Sequence, residues 1–480
     1  MNHYDFGNYL TEKRKSIGYS QFQFGKLLGV SGKAVSKWET GASVPKLETL
    51  TKIASLTGTD LGDLVSMREV GDFEITKIRR SKKAAFWNRE ENRLAEIYGD
   101  DVPLSILDRY YTEKELTAFT DSPLILDALG KVREMVTKKH GLMTNGLDTN
   151  ASFIAWLAGA TNINPLPPHQ ICPHCRKLIF LDEVCDAWDA GPKKCTCGTM
   201  MVNDGHKLPF DACRLTLSMD KSVFGIRLPQ LLIDKACEVV FSELNEIFSM
   251  KKLIFPDGSI EILLYQRTSK AKRSETWEMV PSISKKEYVG GANRFSTILF
   301  YASSMGNNLM EKLALVPTVP DITEMLHEVD LDAIARRFLK HSAFFSGVRK
   351  RGKYYFSDVL KILLADNSTF SSETLKDLVR QTGVKTWKML PLSREDVWDI
   401  IAEKMGANGV TSVIPEYMMR GGYICRNPRE LEQTLFRSLS MPKWFWNYLG
   451  QCKYLSSKSS AIDQLIEQII FEWVDNTVHQ

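Results

Sequence analysis

Over the first 66 residues, apolar side chains recur at helical spacing in four short runs separated by glycine-containing breaks. Phe6, Tyr9, Leu10 and Ile17 form the first run, which Gly18 closes. Ser20 is a good N-cap for the second, which carries Phe24, Leu27 and Leu28 and ends at Gly29. Ser31 opens a third helix through Trp38, and Gly41 and Pro45 precede a fourth bearing Leu47, Leu50, Ile53 and Leu56. Farther on, Leu253-Ile254-Phe255 and Ile260–Tyr265 flank Pro256-Asp257-Gly258, a hairpin pattern. The last hundred residues read as mostly helical. There is no internal repeat and no low-complexity tract.

Two short helices joined by a glycine turn and braced by others follow the helix-turn-helix plan. In that plan the second helix of the pair enters the major groove by its N-terminal residues. That surface is expected at Gly32, Lys33, Ser36 and Lys37, with Val30, Val35 and Trp38 facing the core. Gln21 and Ser31, at helix starts, are expected to meet phosphate. A small helical bundle that binds protein has the same local pattern. The run Ser20-Gln21, Leu28-Gly29-Val30-Ser31, Ala34–Gly41 and Pro45 closely resembles the Cro/C1-type (XRE) regulator family. The resemblance implies double-stranded DNA as partner and, because such heads read paired half-sites, a homodimer, although no dimerisation helix stands out.

Charge adds little to this picture. The whole chain carries +4, and residues 1–70 hold nine Lys/Arg and seven Asp/Glu, or +2. A local basic face matters more than either total. Lys77, Arg79, Arg80, Lys82 and Lys83 make a basic run, read as a solvated linker over 67–95, with a phosphate-tracking arm as the alternative. Hydrophobic residues are 44% and charged residues 25% of the chain, which excludes a disordered or fibrous class. No apolar run approaches the ~20 residues needed to span a bilayer, and the first residues lack a signal-peptide pattern. The expected setting is cytoplasmic, with no membrane partner.

Five of nine cysteines lie between Cys172 and Cys197. Cys172-x-x-Cys175 and Cys195-x-Cys197, two close thiol pairs about twenty residues apart, suit a tetrahedral structural zinc. The second pair is one residue short of the usual spacing, so Cys185, His174 and His206 stand as reserve ligands, and reduced cysteines in a loop are the alternative. Four thiolates leave no open position for catalysis.

Asn164-Pro165-Leu166-Pro167-Pro168-His169 precedes this cluster, and Asp204–Phe210 follows it. Together these segments resemble the palm of the Gram-positive-type DNA polymerase III alpha subunit, a C-family polymerase. Ser372–Trp387, Met441–Phe445 and Lys453–Ala461 are more weakly similar to its fingers. The resemblance implies a palm-like domain over 96–320 with a zinc insertion at 168–206, and a helical fingers-like domain over 321–480.

The departures fall where that family's chemistry resides. Two-metal nucleotidyl transfer needs acids that hold the cations. Phe224 and Ile226 occupy the positions of one acid pair, and Ala314 that of the third acid. The segment matching the phosphate-cradling loop, Thr144–Ser152, lacks its arginine and most of its glycines. Asp330-x-Asp332 is the nearest acid pair, and reads better as first-turn acids of a helix. Arg349–Tyr355 suits a nucleic-acid groove or a solvated loop equally, and Arg267–Arg273 a charged turn.

The expected architecture is multidomain: an all-α helix-turn-helix head over 1–66, an α+β palm-like body with a zinc insertion, and a helical fingers-like C-terminal region. No catalytic residue is assigned. The expected function is sequence-specific DNA binding in transcriptional regulation, without enzyme activity. A replisome-binding decoy or sensor that contacts replication proteins is the second expectation, and an active polymerase the third.

Overall fold

A computed structural model describes residues 4–40, 43, 45–70, 73–117, 120–138, 151–209, 222–266, 276–279, 294–302, 311–312, 316, 320, 322–338, 353–367, 377, 380, 391–405, 419–420, 423–424, 443–451 and 455–478. The head contains helices α1 (Tyr4–Ser16), α2 (Gln21–Leu28), α3 (Gly32–Glu39), α4 (Leu47–Thr57) and α5 (Leu61–Val70). Their apolar stripes meet in one core of Phe6, Tyr9, Leu10, Phe24, Leu28, Val35, Trp38, Leu50, Ile53 and Leu64. Gly7 lets α1 lie on the end of α3, since a Cβ there would fall 2.2 Å from the Glu39 carbonyl oxygen.

The segment expected as a linker over 67–95 is instead the end of α5 and most of α6 (Phe73–Tyr98). Ile75, Arg79, Phe86, Glu90 and Leu94 recur at helical spacing and are all buried. The buried face is partly charged, which hides the helix from a reading of apolar residues alone. Four of its five basic residues are occupied: Arg79 and Lys83 face Asp121 at 3.3 and 3.4 Å, Arg80 holds Asp63 of α5 at 2.7 Å, and Lys82 holds Glu246 at 3.1 Å. Burial pushes the Glu90 carboxyl up, against the pull of Arg89.

The body that follows is mixed. α7 (Leu104–Thr117) and α8 (Ser122–Lys138) lead to the short α9 (Phe153–Leu157). Buried Glu113 of α7 accepts from the amides of Phe153 and Ile154 at 3.0 and 3.1 Å, which satisfies the start of α9. β1 (His169–Ile171), β2 (Leu178–Phe180) and β3 (Val202–Asp204) form an antiparallel sheet in the order β2-β1-β3. The larger sheet contains β4 (Ser222–Leu228), β5 (Phe248–Ile254), β6 (Ile260–Gln266), β7 (Thr276–Met279) and β8 (Arg294–Ala302), in the order β4-β8-β6-β5-β7. The hairpin read at Pro256-Asp257-Gly258 joins β5 to β6. α10 (Ile233–Leu244) and α8 share a core with one face of this sheet, including Phe224, Ile226, Ile262 and Phe300.

The C-terminal region is helical, with α11 (Ile322–Glu328), α12 (Leu331–Arg337), α13 (Phe356–Asp366), α14 (Arg394–Met405), α15 (Lys443–Gln451) and α16 (Lys458–Val478). Among the described residues the only strands here are Met419–Arg420 and Tyr423–Ile424. Its core centres on α13 and α16. Arg267–Arg273, Ala314, Thr144–Asn150, Arg349–Arg351 and most of Ser372–Trp387 lie outside the described residues.

Candidate nucleic-acid interface and metal centre

The pair α2–α3 is built by local capping. The Ser20 hydroxyl accepts from the Gln23 amide at 3.2 Å, and Gln23 Oε1 accepts from the Ser20 amide at 2.9 Å, a reciprocal capping box. Gly29 ends α2 in the left-handed region at φ 75°, where a Cβ is disfavoured. Ser31 then caps α3 by accepting from the Ala34 amide at 3.2 Å. A Cβ on Gly32 would approach the Phe22 α-carbon to 3.1 Å, so glycine sets the close crossing of the two helices.

With Val35 and Trp38 buried, α3 leaves Lys33 and Lys37 exposed and Ser36 half-buried. Spacings of three and four residues place these side chains on one helical face. Among the described residues neither lysine has a hydrogen-bond or ion-pair partner. Gln21, expected to meet phosphate from the start of α2, has its side chain oriented by Glu39, whose Oε2 accepts from Gln21 Nε2 at 2.7 Å. Arg14 Nε donates to the other Glu39 oxygen at 2.5 Å. Burial raises the Glu39 carboxyl, but the bonds from Arg14 and Gln21 outweigh it and hold the group below its ordinary range. Lys33, Ser36 and Lys37 thus present side chains, while Gln21, Ser31 and Gly32 shape the surface. Phe22, which no local pattern marks as functional, is 73% exposed on the first turn of α2, beside Gly32. An aromatic at an exposed position of a capped first turn is the only sequence signal for it.

The second site brings together Cys172, Cys175, Cys195 and Cys197, whose Sγ atoms all lie within 4.8 Å of one another. Cys172 and Cys197 are 3.5 Å apart at sulfur, and Cys175 and Cys195 3.4 Å. A tetrahedral zinc with Zn–S bonds of ~2.3 Å places sulfurs ~3.8 Å apart, so the donor set fits that ion. Each pair sits on a tight turn. The Cys172 amide donates to the Lys177 carbonyl at 2.9 Å, and the Cys195 amide to the Thr199 carbonyl at 2.8 Å. The residue after each second cysteine takes positive φ: 62° at Arg176 and 90° at Gly198. The missing spacer residue in Cys195-x-Cys197 is therefore absorbed by the turn. The hydroxyl and amide of Thr199 pull the Cys197 thiol down to about 5, whereas Cys175, despite the Lys177 backbone hydrogen bond, is pushed up to about 11 by the Cys195 and Cys172 thiols. Of the reserve ligands, His206 is committed elsewhere, with Nδ1 2.9 Å from Asp186, and His174 and Cys185 are exposed outside the cluster.

Phe224 and Ile226, at the expected positions of an acid pair, are each 1% exposed on the same face of β4. Asp330 caps α12, accepting from the Asp332 amide at 2.9 Å, and Asp332 accepts from the Tyr354 amide at 3.1 Å. Both acids thus act at a helix start. A cavity of about 640 Å³ lies between residues 182–189 of the insertion and α13, α14 and the start of α16. Burial pushes Asp189 in its wall up to about 6, with the Ser357 hydrogen bond opposing.

Residues 10–64 match the family model described as helix-turn-helix. A stretch of 121 residues, 24% of the chain, is 34% identical to DNA polymerase III PolC-type of Staphylococcus saprophyticus, and the same figures hold for that of Staphylococcus epidermidis. The PolC-type polymerase of Thermotoga petrophila is 35% identical over 125 residues, 25% of the chain. The chain spans 8% of the length of the two staphylococcal relatives and 9% of the third. The chain therefore carries an N-terminal XRE-type helix-turn-helix domain and, in part of the remainder, a PolC-like region. Among the described residues no helix is long and apolar enough to cross a membrane.

Proposed function

We propose that this is a sequence-specific DNA-binding protein of the cytoplasm that regulates transcription, with a palm-like and fingers-like body that does not catalyse nucleotidyl transfer. The observation that carries the reading is the capped α3, which offers the side chains of Lys33, Ser36 and Lys37 on one face, without side-chain hydrogen bonds or ion pairs among the described residues. Two unpaired lysines and a hydroxyl suit phosphates and base edges, and the α3 N-terminus favours phosphate. A homodimer on two half-sites follows from the same mode of reading.

Loss of catalysis in the body is supported by Phe224 and Ile226, since buried hydrocarbon cannot hold the two cations that the chemistry requires. The four-cysteine cluster is assigned a structural zinc, held by Cys172, Cys175, Cys195 and Cys197. Primer extension by the purified chain with magnesium or manganese checks this part: no incorporation above a heat-killed control is expected, and template-directed synthesis contradicts it. The PolC likeness favours a second reading, a sensor that engages replication proteins. Association with replication proteins that survives Lys33→Ala with Lys37→Ala would select that reading. For the regulator, the test is preferential binding to DNA upstream of the gene, lost in the same double variant.

A further inference from the structure

We propose that the cleft between α6, α8 and the Ala158–Gly159 turn is an anion site that binds a phosphate group through Arg93 and Arg133. The cleft has a volume of about 520 Å³, and its charged walls are Arg89, Arg93, Lys131 and Arg133 against Asp127 and Glu134. That is room for a phosphate with an organic substituent, within the usual ~300–1,000 Å³ of ligand pockets.

Glycine shapes the floor. A Cβ on Gly130 of α8 would lie 2.1 Å from the Ala158 carbonyl oxygen, so α8 presses directly on the turn. Gly159 itself takes φ +70°. Two guanidinium groups converge on this one residue. Arg93 places Nη1 3.5 Å from where a Gly159 Cβ would sit. Arg133 Nη1 donates to the carbonyls of Gly159 at 3.3 Å and Thr161 at 3.0 Å.

The other cations in the wall are already matched. Arg89 lies 2.8 Å from Glu90 and 3.0 Å from Asp127, and Lys131 lies 2.6 Å from Glu243. Arg93 has neither a hydrogen bond nor an ion pair among the described residues, although the Glu90 carboxylate, which Arg89 holds, attracts it at longer range. Burial pulls the Arg133 guanidinium down to about 10, Asp463 opposes this, and the Arg93 charge adds to it. Like charges are thus brought together with a deficit of anion between them. A phosphate dianion fits this deficit in charge, and its oxygens suit the planar donor fork of arginine. A monocarboxylate would neutralise only one of the two groups.

The phosphate has two possible sources, a small phosphorylated molecule or the backbone of DNA, and one set of titrations separates them. The full-length chain is titrated calorimetrically with pyrophosphate, with adenosine monophosphate and with a short duplex of arbitrary sequence. The duplex arm uses the Lys33→Ala, Lys37→Ala background, which removes the contribution of the head. Each arm is repeated with Arg93→Gln, an exposed substitution that breaks no internal bond. Saturable binding of either small phosphate, weakened ~10-fold or more by Arg93→Gln, establishes the site with a small-molecule ligand. Dependence on Arg93 confined to the duplex assigns the phosphate to DNA. The proposal is overturned if no probe binds up to about 10 mM, or if Arg93→Gln leaves every affinity unchanged.

Discussion

Removing metal from the four-cysteine centre should unfold its lobe while leaving the head intact. The lobe has little core of its own: the cluster beside the cysteines holds, besides Cys172 and Cys195, the buried Met201 with Ile179 packed against it, while buried Ile171 packs into the core of the body. Burying two such side chains contributes about 1.5–3 kcal/mol each, or ~3–6 kcal/mol together. A tetrahedral thiolate site contributes ~10–16 kcal/mol in small zinc peptides, so the metal outweighs hydrophobic burial by roughly two- to fivefold. The assay is limited trypsin digestion with and without chelator, reading cleavage after the exposed Lys177, Lys193 and Lys194. Protection should be high in protein purified with about one equivalent of zinc and should collapse on chelation, as in Cys197→Ser without chelator. The head, whose core shares no residue with the lobe, should melt unchanged. Equal cleavage with and without chelator in metal-loaded protein would refute the argument, and so would a purified chain without bound metal.

Three further outcomes follow from local geometry. Gly7→Ala places a methyl 2.2 Å from the Glu39 carbonyl oxygen, so the head should lose about 1–3 kcal/mol; an unchanged melting temperature of the excised or intact head would contradict the close α1–α3 contact. Glu39 is held below its ordinary value of 4.5, so its contribution is complete above that pH and is lost as pH falls through the lower folded value. A pH titration of head stability should show this acid loss, and Glu39→Gln should remove that part of the slope while weakening the Arg14 contact. Asp189 is raised to about 6, so its ionisation opposes folding as pH rises from about 4 to above 6. Asp189→Asn keeps an acceptor for the Ser357 amide and should raise stability at pH 7.5 by up to ~3 kcal/mol; no gain in denaturant midpoint would count against the burial argument.

The head was legible because each of its signals is local. Ser20, Gly29 and Ser31 cap and end helices within a few residues, and the apolar stripe lies at fixed spacing. The β5–β6 hairpin was legible for the same reason. The metal centre was legible from cysteine spacing, although only the folded turns show how Cys195-x-Cys197 meets the first pair. α6 was not, because its buried face includes Arg79 and Glu90, whose partners Asp121 and Arg89 become apparent only in the fold. The hydrogen bond from Gln21 to Glu39 is likewise not encoded locally, because 18 residues separate the two. Arg93 and Arg133 meet at Gly159 from separate helices, a juxtaposition that no periodicity encodes.

The proposed function stands on α3 reading a specific DNA sequence. Its most direct measurement is equilibrium binding of the full-length chain, at physiological salt, to the gene's own upstream DNA and to a shuffled duplex of equal length. Specific sites are typically favoured by ~10³-fold or more over non-specific DNA, and loss of a good base contact costs about 1–3 kcal/mol. Such a preference is expected, together with its loss in Lys33→Ala with Lys37→Ala. Equal affinity for both duplexes, or a preference that survives the double variant, would contradict it.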